Sequence, residues 1–101
     1  MGDPRLSAQT LRVLGALISS PRDEQSGAMI GRETKLASGT LYPILSRLEG
    51  AGWLESRWEE GEPRLLGRPR RRLYRLTALG ETSTTAAFSE LEPVFRRLAW
   101  G

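Results

Sequence analysis

Two groups of residues have side chains that could contact a nucleic acid. The first is a short run of small, hydroxyl-bearing and aromatic residues, followed about one turn later by an arginine: Ser38, Gly39, Thr40, Tyr42, Pro43 and Arg47. If this run opens a helix, its unpaired amides suit phosphate oxygens and its hydroxyls can reach base edges. A purely structural interpretation, with Ser38 as a helix cap and Tyr42 half-buried, fits the same spacing. The spacing alone favours neither.

The second group consists of arginines with no acidic residue between Pro63 and Leu76: Arg64, Arg68, Arg70, Arg71, Arg72 and Arg75. The guanidinium group binds phosphate with two parallel hydrogen bonds, and narrow minor grooves attract arginine. A charge run often serves only to keep a hairpin in solvent. Here the run carries glycine and proline and follows a helical segment, which favours DNA contact. Arg75 can instead pair with Glu55 across two strands.

The composition excludes several other classes of protein. The 101 residues contain no cysteine and no histidine, so disulfides and ordinary structural zinc sites are impossible. We find no paired carboxylates in an apolar setting and no glycine-rich phosphate loop, so an enzyme is the least expected class, and we expect neither metal nor cofactor. The length predicts a single domain, 1–101. With no membrane-length apolar run and no signal-peptide pattern, we expect a cytoplasmic protein without a membrane segment.

The apolar spacing predicts three helices in the first half of the chain. Residues 8–19 form an amphipathic helix, residues 26–34 a shorter one, and residues 35–37 a turn. Ser38 is expected to cap the third helix, with Pro43 in its first turns, where a missing N–H is tolerated. That helix has an apolar stripe at helical spacing that we expect to be core, and it ends at a glycine pair: Leu41, Ile44, Leu45 and Leu48, then Gly50 and Gly52.

A strand pair and a last helix complete the expected fold. Alternation predicts strands at 53–59 and 71–76 around a long loop. Thr77 is expected to cap the last helix, and Pro93 to kink it near Ser89 or to end and restart it. The order of helix, helix, helix, strand, strand, helix is that of a winged helix-turn-helix: a mainly α fold with a small β-hairpin, its binding module at 6–77 and a C-terminal helix at 78–100.

The last helix also carries an apolar seam spaced by three, four and three residues, which is typical of helix pairing. The alternative is packing within the chain onto the first helix. We expect the first and last helices together to form a homodimer interface, because symmetric DNA readers bind one half-site per protomer. The residues expected there are Leu11, Leu14, Phe88, Leu91, Phe95 and Leu98.

These motifs resemble the PadR family of transcriptional regulators, over about residues 6–80. The resemblance rests on residues 38–49 (SGTLYPILSRLE), 52–56 (GWLES), 67–77 (GRPRRRLYRLT) and Gly80. It implies a dimeric winged-helix regulator of double-stranded DNA, usually a repressor, acting on a pseudo-palindromic operator. The family's contact positions correspond to Ser38, Thr40, Tyr42 and Pro43, and in the wing to Arg68, Arg70, Arg71 and Arg72.

The resemblance has departures and leaves alternatives open. The family often opens its second helix with Gly-Tyr, where this chain has Gly27 and Ala28. A chain ending at Gly101 resembles the short subclass with a single C-terminal helix. Some short members bind flat hydrophobic compounds at the dimer interface, and Phe95 and Trp100 are compatible with such an effector. The alternative function is a protein-interaction module whose arginine wing meets an acidic partner, since fold does not fix function.

Overall fold

The computed structural model describes residues 3–100, and of Trp100 the backbone alone, so the expected role of the Trp100 side chain lies outside the described residues. The elements follow the expected order with two additions, β1 and α4. They are α1 (Ala8–Ile18), β1 (Gln25–Ser26), α2 (Gly27–Thr34), α3 (Ser38–Gly50), β2 (Leu54–Trp58), α4 (Pro63–Leu66), β3 (Arg72–Leu76) and α5 (Ala78–Trp100). The sheet is antiparallel with the order β1-β3-β2.

The core forms where the apolar stripe of α3 meets α1 and the sheet. All four aliphatic residues expected there, Leu41, Ile44, Leu45 and Leu48, are buried. They pack in one cluster with residues of α1, α2 and the sheet, among them Val13, Leu17, Ile30, Leu54 and Leu76. Each fully buried aliphatic side chain contributes about 1.5–3 kcal/mol to folding, so α3 is fixed mainly by hydrophobic burial.

The prediction that Ser38 caps α3 is wrong by one residue. Lys35 takes a left-handed conformation with φ of 61° and ends α2, which leaves Ala37 extended as the N-cap residue. The Ala37 carbonyl accepts from the amide of Leu41 at 2.9 Å. Ser38 is therefore the first residue inside the helix, and the cap of α3 makes no side-chain hydrogen bond.

Pro43 also lies deeper in α3 than expected. It is the sixth helical residue, beyond the amides that have no intrahelical partner. The carbonyl of Gly39 consequently lacks its usual donor four residues later. Gly39 is exposed, so water can satisfy that carbonyl.

The sheet differs from a simple hairpin in two places. β1 pairs with β3, placing Ser26 opposite Leu73, and it consists of only two residues. The loop between β2 and β3 contains α4, which begins at Pro63 and ends where Gly67 turns left-handed with φ of 72°. The hairpin register places Glu55 opposite Arg75, and their side chains form the expected ion pair at 2.7 Å.

The start of α5 is fixed against the end of the helix-turn-helix. Thr77 Oγ1 accepts from the Gly80 amide at 3.0 Å, as expected of a cap, and the Thr77 amide donates to the Trp53 carbonyl at 3.0 Å. A Cβ at Gly80 would collide with that same carbonyl, so glycine is required there. α5 continues through Pro93, so the expected alternative of an ended and restarted helix is wrong.

The second half of α5 projects from the body of the molecule. The described chain measures 55 × 28 × 24 Å and has a radius of gyration of 15.0 Å, against about 13 Å for a compact domain of this length. Residues 92–99 are all exposed, including Val94, Phe95 and Leu98. Within residues 3–100, no helix combines the length and the apolar character needed to cross a membrane.

One residue expected at the dimer interface is not on the surface. Leu14 is 0% exposed and packs in the core of its own chain, because the buried face of α1 is centred on Val13, Leu14 and Leu17. The expected assignment of Leu14 to a partner contact is therefore wrong. Leu11 is half-buried on the flank of that face.

Candidate nucleic-acid interface

The start of α3 presents the first group of predicted contact residues on the side opposite its buried stripe. Ser38, Gly39, Tyr42, Pro43 and Arg47 are exposed, and Thr40 is half-buried. The N-cap position belongs to Ala37, so the Ser38 hydroxyl is not engaged in capping. The first turn also has free amides at the positive end of the helix dipole. These features are compatible with contact to phosphate and to base edges.

Tyr42 extends from α3 across the start of α2. A Cβ built at Gly27 would lie 2.5 Å from Tyr42 Oη and 2.7 Å from its ring, so the tyrosine occupies the space a larger residue 27 would need. Gly27 is buried beneath the ring, whereas Tyr42 itself remains 45% exposed. The close approach explains why glycine precedes Ala28 at the opening of α2.

Tyr42 and the wing form opposite walls of one groove of about 570 Å³. Here the wing means residues 54–76, the hairpin of β2 and β3 with its α4-containing loop. The start of α2 and Tyr42 form one wall, Trp58 and residues 69–72 form the other, and the buried Tyr74 lies between them. The groove thus brings Tyr42 of the first predicted group together with Arg70, Arg71 and Arg72 of the second. The other predicted contact residues do not line it: Ser38, Gly39, Thr40, Pro43, Arg47, Arg64 and Arg68.

The wing arginines differ in what holds them. Arg68 forms a two-point ion pair with Glu59, with Nη1–Oε1 and Nη2–Oε2 distances of 2.6 and 3.0 Å. The Arg72 guanidinium lies over the Trp58 ring, 5.1 Å from its centroid, and its Nε donates to Ser56 Oγ at 3.0 Å. Among residues 3–100, the exposed side chains of Arg64, Arg70 and Arg71 make no ion pair or hydrogen bond.

The Arg68–Glu59 pair lowers the pKa of a carboxyl group at the base of the wing loop. The hydrogen bond from the Arg68 guanidinium is the largest cause that lowers the pKa of Glu59 to about 2, and it outweighs desolvation, which raises the pKa. The Arg71 amide adds a further, smaller lowering. A second two-point pair joins Arg57 to Glu24, with both N–O distances at 2.7 Å, and its hydrogen bonds lower the pKa of Glu24. At neutral pH, the ion pairs of Glu24 and Glu59 therefore stabilise the sheet and its loop.

Sequence reasoning missed three residues of this surface, Ser56, Trp58 and Glu59. Alternation did place Ser56 and Trp58 on one strand face, but their partners depend on the register with β3. That register sets Trp58 directly opposite Arg72. The signal available in the sequence was a tryptophan in one predicted strand, followed by an arginine-rich strand expected to pair with it.

A second, apolar cavity of about 680 Å³ lies where the middle of α5 passes the end of α1. Ile18, Phe88 and Phe95 supply most of its apolar lining, and Glu92 and Arg96, an ion pair, form its edge. Phe88 packs partly on the core, whereas Phe95 is 59% and Leu98 75% exposed. This face of α5 therefore leaves large apolar side chains in contact with solvent.

Comparison with known proteins identifies the family. A sequence model described as the transcriptional regulator PadR-like family matches residues 24–86, from the residue before β1 into α5. The chain belongs to the PadR-like family of transcriptional regulators. This family consists of transcription regulators and not of enzymes, which agrees with the low expectation of an enzyme. No curated protein matches the sequence.

Solved structures share the fold of this PadR-like chain. A PadR family transcription regulator from hypervirulent Clostridium difficile R20291 is 19% identical with a TM-score of 0.75, over 92% of this chain and 96% of that one. The protein smu.1704 from Streptococcus mutans UA159 is 30% identical with a TM-score of 0.68, over 95% and 87%. Transcriptional regulator PA4135 is 19% identical with a TM-score of 0.75. The match covers 92% of this chain but only 62% of PA4135. The expected mainly helical winged-helix fold is confirmed.

Proposed function

We propose that this PadR-like chain is a sequence-specific DNA-binding repressor that acts as a homodimer on a pseudo-palindromic operator. The observation that carries the proposal is the groove between Tyr42 of α3 and Arg70, Arg71 and Arg72 of the wing. A helix start that enters the major groove and a cationic hairpin beside it supply the two kinds of contact that DNA recognition needs. We further propose that it acts in the cytoplasm, because a transcriptional regulator must reach the DNA.

The exposed residues of α3 and the arginines of the wing have different roles in this proposal. Ser38, Thr40 and Tyr42 face the base edges, with Gly39, Pro43 and Arg47 beside them along the helix. The exposed guanidinium groups of Arg64, Arg70 and Arg71 bind backbone phosphates, and Arg68 contributes positive charge from its pair with Glu59. Phosphate contacts hold the helix in register, and base-edge contacts give specificity.

The homodimer forms along the projecting half of α5. Phe95 and Leu98 are exposed there, and the half-buried Phe88 and Leu91 continue the same seam toward the body. We include the half-buried Leu11 of α1 in the proposed interface. A second copy would cover this apolar face, which a monomer leaves in water. Sedimentation at several protein concentrations tests the assignment: Phe95→Ser with Leu98→Ser should yield monomers at concentrations where the wild-type chain is dimeric.

A flat hydrophobic effector would bind in the cavity beside Phe88 and Phe95. The cavity is large enough for such a compound and mainly apolar, and it lies against the proposed dimer interface. Binding there could bias the dimer between arrangements that fit DNA and arrangements that do not. Quenching of tryptophan fluorescence by planar aromatic compounds, lost in Phe95→Ser, tests this part.

The deciding experiment is titration of fluorescent duplex DNA at two salt concentrations, with the promoter of the protein's own gene and a scrambled duplex. Tighter binding to the promoter, with a steeper salt dependence on the scrambled duplex, is the expected result. Equal binding to both duplexes would contradict specific recognition of that promoter. Failure to bind either duplex at low salt would overturn the proposal and favour a protein-interaction module.

A further inference from the structure

Arg72 differs from Arg70 and Arg71 because its guanidinium, like that of Arg68, is already engaged within the chain. Ser56 Oγ donates to Glu49 Oε2 at 2.6 Å, and Arg72 Nε donates to the same Ser56 oxygen at 3.0 Å. The hydroxyl thus uses its one proton and one of its acceptor sites. The flat face of the guanidinium covers the Trp58 ring at 5.1 Å. These contacts form a continuous path from α3 through β2 to the end of β3 nearest the loop.

The path starts on the same side of α3 that presents Tyr42. Glu49 follows Tyr42 by seven residues, and positions seven apart share a helix face. On the sheet, the register places Leu54 opposite Leu76, Ser56 opposite Tyr74 and Trp58 opposite Arg72, all on one face. That face changes from buried near Leu54 to exposed at Trp58, which is 59% exposed. Beyond Leu54, Leu76 and the buried Tyr74, polar and stacking contacts join the wing to the helix.

We propose that Arg72 is a positioning residue: the Glu49–Ser56–Arg72–Trp58 contacts set the wing at a fixed distance from the start of α3, and Arg72 does not bind a phosphate. This inference rests on the proposed function, since it separates the exposed wing arginines that contact DNA from Arg72, which holds the groove at a fixed width. Arg70 and Arg71 belong to the first class and Arg72 to the second.

Salt dependence separates the two roles. Each lost phosphate contact lowers the slope of log affinity against log salt by about 0.9 on duplex DNA. The test measures binding of one duplex by fluorescence anisotropy at four salt concentrations for the wild type, Arg71→Ala, Arg72→Ala, Arg72→Lys and Ser56→Ala. Thermal unfolding of each variant confirms that it is folded at the temperature of the titration.

Arg71→Ala is expected to lower the slope by about 0.9. Arg72→Ala and Ser56→Ala are expected to weaken binding about threefold to tenfold at an unchanged slope, because they disturb geometry and not a phosphate contact. Arg72→Lys should behave like Arg72→Ala, since lysine keeps the charge but lacks both the planar group and Nε. The double variant of Ser56→Ala and Arg72→Ala should bind no more weakly than Arg72→Ala.

Three results would overturn the inference. One is a slope lowered by about 0.9 in Arg72→Ala, another is wild-type affinity in Arg72→Lys, and the third is wild-type affinity in Ser56→Ala. If the wild type binds no duplex, the proposed function has failed instead. The wing attachment is then tested by hydrogen exchange at the Glu59 amide, which donates to the Arg71 carbonyl at 2.8 Å. Faster exchange in Ser56→Ala and Arg72→Lys is expected, and unchanged exchange in both would overturn the attachment.

Discussion

Helix α3, through Tyr42, and the wing lie on opposite sides of one groove, but different forces hold them. Four buried aliphatic side chains fix α3 on the core, and its groove-facing residues are mostly neutral. The base of the wing is anchored in the same core by Leu54, Tyr74 and Leu76. The part nearer the loop is held by ion pairs, a guanidinium–indole stack and strand register, and its groove side is cationic. Salt screens exposed charge pairs, whereas it does not screen contacts between buried aliphatic side chains. The helix is therefore the rigid wall, and the wing is the wall that responds to pH and ionic strength.

The largest expected effect comes from weakening the support of the helix. Leu45→Ala removes a side chain that is 1% exposed and leaves a cavity behind α3. We expect a loss of about 2–5 kcal/mol in the free energy of unfolding, measured by urea denaturation. Leu65→Ala in α4 is the matched control, because Leu65 is 84% exposed in the wing loop and should change stability by less than about 0.5 kcal/mol. Similar losses in both variants would contradict the contrast between the two walls.

A smaller effect is expected where the helix wall meets the start of α2. Gly27→Ala forces the Tyr42 ring to move, and because that ring is the half-exposed end of a side chain, the loss in unfolding free energy should be about 1 kcal/mol or less. DNA binding should weaken as well. Gly50→Ala is the control, because its Cβ would meet open space at the end of α3, outside the proposed DNA contacts. Adding Tyr42→Ala to Gly27→Ala should recover most of the lost stability. A stable Gly27→Ala variant with an unmoved tyrosine would show that the close approach is absent in solution.

The wing itself should affect DNA affinity more than stability. Arg70→Ala removes an exposed guanidinium and should weaken binding about equally on promoter and scrambled duplexes, with a salt slope lower by about 0.9. Thermal unfolding should be nearly unchanged. If the substitution alters sequence preference but leaves the salt slope as it was, Arg70 reads a base and does not bind a phosphate.

The smallest expected effect is the dependence of the wing on pH. The pKa of Glu59 is lowered in the folded state to about 2 from an ordinary 4.5, so its contribution to stability is complete above pH 4.5 and is lost as the pH falls from 4.5 through 2. The difference in melting temperature between the wild type and Glu59→Gln should therefore shrink over that interval. Glu62→Gln, an exposed change in the same loop, is the control. A difference that stays constant down to pH 2 would contradict the Arg68–Glu59 pair.

Sequence alone predicted the parts of the fold that depend on periodic burial. The α3 stripe and the alternation of β2 and β3 are repeated signals, and each repeat adds evidence for the same element. β1 escaped prediction because two residues carry no period and their pairing with β3 spans about 50 positions along the chain. α4 has local signals, Pro63 at its start and Gly67 after its end, but four residues are too few to stand out within a loop.

The candidate site was predictable as a set of residues but not as an arrangement. Residue types and motif spacing singled out Tyr42 and the wing arginines. The approach of Tyr42 to Gly27, the choice of Glu59 by Arg68 and the stacking of Arg72 on Trp58 all depend on contacts between segments distant in sequence. The cap of α3 was misplaced because serine's preference for that position was outweighed by the left-handed Lys35 that ends α2.

Helix α5 has 23 residues and is about 34 Å long. Its first turn is fixed to the body of the chain because Gly80 packs directly against the Trp53 carbonyl. A tilt of about 5° at one end of such a helix moves the other end by about 3 Å, close to the roughly 3.4 Å rise of one base pair. In the proposed dimer, the packing angle between two α5 helices would therefore set how many base pairs separate the half-sites. The packing of Phe88, Leu91 and Phe95, far from the DNA, would then decide whether the α3 helices of both protomers can contact the same operator.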